Sequence, residues 1–120
     1  MKRREATARY CLENPQADFN LGFTHFANIN EGKDVWWYDI PLHKVIENRR
    51  GFLLLLAYDN LSLELHALNV PIQFMRDNLK KMFVRLDKQT ISLELSSLKP
   101  TLFQDIRPGS SRISFGKFKR

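Results

Sequence analysis

One cysteine, Cys11, stands alone in 120 residues, so no disulfide closes within the chain and no Cys-x-x-Cys pair can clamp zinc. Nothing in this cysteine usage calls for an oxidising compartment. No apolar run follows the basic start Lys2-Arg3-Arg4 as a secretory leader requires, and the longest aliphatic run, Phe52 to Ala57, falls far short of a bilayer span. A soluble, cytosolic (cytoplasmic) chain with no membrane partner is expected. Also missing are a Gly-rich phosphate loop, a Gly-x-Ser-x-Gly elbow, a His-Glu-x-x-His pair, and any helix-turn-helix, zinc-finger or RNA-recognition signature. These absences exclude the easily read enzyme classes and leave no cofactor to expect.

What the chain does have is an ordinary globular composition, 43% hydrophobic and 27% charged, enough for one core and too short for two. A single domain over residues 1–120 is expected. The net charge of +6 favours an anionic partner, and its placement matters more than its sum. Residues 1–9 carry a net +3 and residues 107–120 a net +5, so the segment between them is slightly acidic at −2. Basic ends of this kind act as phosphate-binding arms or as flexible, solubilising termini.

Two stretches thirty positions apart read almost alike: Leu-Ser-Leu-Glu-Leu-His-Ala-Leu at 61–68 and Ile-Ser-Leu-Glu-Leu-Ser-Ser-Leu at 91–98. Strict alternation predicts half-buried strands, with Leu61, Leu63, Leu65 and Ala67 on one face, as are Ile91, Leu93 and Leu95, and with Glu64, His66 and Glu94 on a wet face. Residues 2–13 have helix-compatible composition closed by Pro15. The segments 18–30 and 34–40 pair across Asn30-Glu31-Gly32-Lys33. Pro41 and Pro71 each open a helix, over 41–50 with Leu42, Val45 and Ile46 on one stripe, and from 71 with Ile72, Met75, Leu79 and Met82. The run 52–58 reads as a central strand turning at Asp59-Asn60, and 83–86 pairs with 90–96. Segment 112–118 reads as an edge strand or a mobile arm. The implied fold is α+β: a mainly antiparallel sheet of five or six strands with the two internal helices packed on one face.

Three constellations carry chemistry. Glu64 and His66, joined by Glu94 if their strands are neighbours, offer a general base or a divalent-metal site of a hydrolase, and Asp59 with Glu64-Leu65-His66 approaches the carboxylate and Glu-x-Lys geometry of a magnesium nuclease. No residue is assigned as a metal ligand. In Val35-Trp36-Trp37-Tyr38, alternation puts Trp36 and Tyr38 on one face and Trp37 on the other, and an exposed ring can stack on an unpaired base. Cations then hold the phosphates, the candidates being Arg76 and Lys80 on the second helix together with Arg3, Arg4, Arg107, Arg112, Lys117, Lys119 and Arg120 at the ends. The leading expectation is a non-enzymatic binding domain for an anionic partner, nucleic acid first, with Trp36 or Tyr38 stacking. The alternatives are a protein-interaction or homodimerising (homo-oligomer) module that uses Ile113, Phe115 and Phe118 as an added edge strand, and the hydrolase site.

Overall fold

The computed structural model describes all 120 residues. In chain order they form α1 (Arg3–Glu13), β1 (Thr24–Asn30), β2 (Val35–Pro41), α2 (Leu42–Ile46), β3 (Phe52–Asp59), β4 (Glu64–Pro71), α3 (Ile72–Asp77), β5 (Phe83–Arg85) and β6 (Thr90–Ser96). The six strands make one sheet in the order β4-β3-β1-β2-β6-β5. β1 runs parallel to β3 and every other pairing is antiparallel, giving an α+β fold with a mixed, mostly antiparallel sheet.

Both helix starts follow from proline. Pro41 at φ −54° and Pro71 at φ −59° each end a strand and stand one residue before a helix, where a fixed φ and a missing N–H cost little. The helices are shorter than their apolar spacing suggests. α2 ends at Ile46, where Arg76 Nη1 donates to the carbonyls of Val45 and Ile46 at 3.1 and 2.6 Å, and to that of Asn48 just beyond at 3.3 Å, satisfying groups the helix leaves open. Gly51, at a left-handed φ of +96°, lies five residues beyond the helix and turns the chain into β3.

The main core lies on one face. Trp36, Tyr38 and Ile40 of β2 meet Leu53, Leu55 and Ala57 of β3, Leu68 and Val70 of β4, and Ile91, Leu93 and Leu95 of β6. Val45 of α2 with Ile72 and Met75 of α3 join this same core, so the two internal helices do share a face. The other face is not uniformly wet. There α1 sets Ala6 and Tyr10 on Leu54 and Leu56, so β3 is buried on both sides, and for this reason residues 53–57 form a continuous apolar run.

Coverage on both faces corrects the expected register of β4. Asp59 Oδ1 accepts the backbone N–H of Leu61 at 2.9 Å and of Ser62 at 3.3 Å, and Leu63 sits at φ +62°, so the turn continues to 63 and the strand starts at Glu64. Leu61 is 90% exposed and Leu63 is also exposed. His66, Leu68 and Val70 point to the main core side, while Leu65 and Ala67 pack with the α1 cluster.

The second alternating stretch keeps its register, with Ile91, Leu93 and Leu95 in the core, but Ser92, Glu94 and Ser96 are buried instead of wet. The chain beyond 97 folds back over them: Asp105 bridges to Leu95, and Ile106 N–H donates to the Glu94 carbonyl at 2.9 Å. Both basic ends pack onto the rest of the chain. Residues 3–9 belong to α1, while Phe115 is fully buried and Arg120 N–H donates to the Ala67 carbonyl at 2.9 Å. Ile113 and Phe118 pack against the core too, so the expected edge strand is occupied within the chain. No helix is long and apolar enough to cross a membrane.

Candidate nucleic-acid interface

Alternation along β2 sorts its aromatics, and burial decides their roles. Trp36 stacks on Phe103 at 5.4 Å, meets His66 edge-on at 5.6 Å and donates its indole N–H to the Tyr58 carbonyl at 3.0 Å. Tyr38 Oη donates to the Leu56 carbonyl at 2.7 Å, and burial pushes its phenol well above the usual range. Both rings are therefore core, which corrects their assignment as stacking residues. The exposed ring is Trp37, 40% accessible, its indole N–H donating to Ser92 Oγ at 3.0 Å.

Two cations flank Trp37. Lys33 Nζ lies 5.8 Å and Arg107 Cζ 5.9 Å from its ring centre, within cation–π range, and Arg107 also covers Phe83 at 4.4 Å. Buried Glu94 holds them both, at 2.7 Å from Arg107 Nη1 and 3.4 Å from Lys33 Nζ. Glu94 thus sets one carboxylate between the two cations. Asp105 fixes the Arg107 loop, its Oδ1 accepting the backbone N–H of Glu94 and of Arg107 at 3.2 Å each. Oδ2 of Asp105 is buried with no partner, and burial, aided by nearby Glu94, raises its carboxyl above the usual carboxylate range.

Beside Trp37 the sheet parts. β1 pairs with β2 only at Ile29–Trp36 and Asn30–Val35, and below these pairs a cavity of about 280 Å³ opens, lined among others by Arg3, His25, Phe26, Trp37, Asp39 and Lys44. Arg3 Nη2 donates to the carbonyls of Leu21 and Thr24 at 3.1 Å each, and Lys44 Nζ lies 3.5 Å from His25 Nε2. Burial first, then Lys44 and Arg3, lower His25 to about 4, so near neutral pH its ring accepts from the ammonium. Asp39 lines the same cavity and enters no ion pair.

The hydrolase constellation does not assemble. Three strands separate β4 from β6, and Glu94 is spent on Arg107 and Lys33. Glu64 Oε2 lies 3.6 Å from His66 Nε2, but burial and then Lys119 lower the imidazole, partly offset by Glu64 and Asp59. No group of three or more metal-ligating side chains occurs. Among the other nominated cations, Arg76 caps α2 and Lys117 lies 4.7 Å from the Phe74 ring. Lys119 bridges to Leu68 through its backbone, and Arg112, at φ +58°, gives its carbonyl to Gln104 Nε2. Lys80 and Arg4 are exposed and unpaired. Of the nominated binding residues, only Arg107 reaches the exposed ring.

Sequence reasoning missed Trp37, Lys33 and Lys44. The alternation had already set Trp37 apart from its neighbours; what it did not carry was which face would be roofed. The fold and site together define an α+β protein whose mixed sheet presents a cation-flanked indole on a partly open face. No family model, curated protein or solved structure matches the chain.

Proposed function

We propose that this protein is a non-enzymatic binding domain for single-stranded nucleic acid, with Trp37 stacking on an unpaired base and Lys33, Arg107, Arg3 and Lys44 holding the phosphates. The observation that carries this reading is the exposed Trp37 ring with Lys33 and Arg107 each within 6 Å of its centre. Stacking on an aromatic platform is worth roughly 1–3 kcal/mol per base and tolerates any sequence, because every base has a π-face. The neighbouring cations add a salt-dependent, sequence-independent attraction. A cytosolic setting fits this role, since nucleic acid is at hand there and Cys11 stays reduced.

Fluorescence anisotropy with labelled single-stranded and duplex DNA and RNA, at low and moderate salt, tests it. Single strands bind more tightly than duplex, and Trp37→Ala weakens binding about 5- to 150-fold, the equivalent of one lost stacked base. Failure to bind any single strand at low salt overturns the reading.

A further inference from the structure

A second cavity lies away from Trp37. It measures about 630 Å³, well within the range of small-molecule sites, and is walled by the loop between α1 and β1 and by the residues that lead into β3. Two phenyl rings on its wall, Phe19 and Phe52, are 38% and 52% exposed. Large rings left wet inside a concavity bury their faces only when something enters it.

Among the polar groups of this cleft, Asn20 Oδ1 accepts the Gly22 N–H at 2.9 Å and Arg120 Nη1 donates to Tyr10 Oη at 2.7 Å, while others are left unspent. Arg50 reaches it, is exposed and enters no ion pair, and Asp18 lines it likewise unpaired. Asn69 projects from β4, and Asn48 uses only its amide N–H, donated to the Lys44 carbonyl at 2.9 Å. Each of these groups suits one part of a nucleotide. A guanidinium forks onto phosphate, a carboxylate accepts from a ribose diol, and carboxamides present the paired donor and acceptor that a base edge requires. A phenyl face supplies the stack. The opposite charges of Arg50 and Asp18, unpaired in one cleft, fit a ligand that carries both an anion and hydroxyl donors.

We infer that this cleft binds a nucleoside monophosphate, either free or as the phosphorylated end of a strand. Arg50 takes the phosphate, Asp18 the ribose hydroxyls, Phe52 the ring face and Asn69 the base edge. This inference does not depend on the Trp37 surface, and its test separates the two.

Isothermal titration of the full chain with the four nucleoside monophosphates, with inorganic phosphate and with unphosphorylated nucleosides provides that test. Saturable binding of at least one monophosphate is expected, with phosphate alone and nucleoside alone each at least tenfold weaker. Arg50→Gln lowers the affinity at least tenfold with an unchanged melting temperature, Asp18→Asn reduces discrimination between ribo- and deoxyribonucleotides, and Trp37→Ala leaves nucleotide affinity as it was. A 5′-phosphorylated oligonucleotide that binds through Arg50 where free monophosphates do not supports the inference and assigns the cleft to strand ends. Absence of saturable binding by both sources at millimolar concentration overturns it, as does an Arg50→Gln variant that binds like the parent.

Discussion

Asp105 and His25 occupy opposite ends of the same electrostatic problem. Asp105 is fully buried, with one oxygen tied to two backbone amides and the other unpartnered, and its carboxyl titrates above its ordinary value. A group whose folded pKa is raised contributes stability at low pH and loses it as pH rises through the folded value. His25, lowered from 6.5 to about 4, works the other way: its contribution is complete above pH 6.5 and is lost as pH falls toward 4. Denaturation of the parent and of Asp105→Asn from about pH 3 to 7 separates the first term: the stability difference moves against the parent as pH rises through the carboxylate range. The same comparison with His25→Gln moves against the parent as pH falls below 6.5. Parallel curves in either pair contradict the assigned environment. Trp36 and Trp37 show the same dependence on surroundings, since adjacent indoles become a core brace and a surface platform solely through which side of β2 they leave.

At the scale of the elements, the β3–β4 turn gives the sharpest contrast between pattern and structure. Leu61 and Leu63 look like core leucines in the alternating run, yet both are exposed and Leu63 takes a left-handed backbone. Leu61→Ser therefore stays within about 0.5 kcal/mol of the parent in urea denaturation. Leu68→Ala, at a fully buried position of β4, costs about 2–5 kcal/mol, and a large loss at Leu61 instead would restore the simple alternation. The strands, the two proline-led helices and the β5–β6 hairpin were legible because each rests on local signals: period-two alternation, a proline at the strand end, a turn of polar residues. The phase of β4 was not, because Leu65 and Ala67 pack toward α1 while Leu68 and Val70 face the main core, so both alternation phases are apolar. Nor was the pairing of Glu94 with Arg107, or the capping of α2 by Arg76, since these contacts join residues distant in sequence. For the site, the sequence offered an aromatic strand and cations nearby, and chose the wrong rings because coverage of a sheet face is decided by elements far along the chain.

Over the whole molecule, the basic carboxy-terminal segment serves the core before it serves any ligand. Phe115 is fully buried against Phe74, at 5.6 Å between ring centres, and its N–H donates to the Phe103 carbonyl. Phe115→Ala then costs about 3–5 kcal/mol by chemical denaturation, and light scattering of the parent and the variant under native conditions returns one mass. A marginal loss would mean that the segment is dispensable to the fold. The cations assigned to phosphates in the proposed function are drawn from distant parts of the chain: Arg3 from α1, Lys33 from the β1–β2 turn, Lys44 from α2 and Arg107 from the returning loop. Such a set makes a measurable demand on the salt dependence of binding. Each phosphate contact to a single strand contributes about 0.7 to the slope of log affinity against log salt. Lys33→Ala and Lys44→Ala should each flatten that slope by about this amount, across all base sequences. Lys80→Ala should leave it unchanged, because Lys80 lies outside both the Trp37 contacts and the adjoining cavity. Equal flattening by all three variants would show diffuse attraction to net charge and no docked strand.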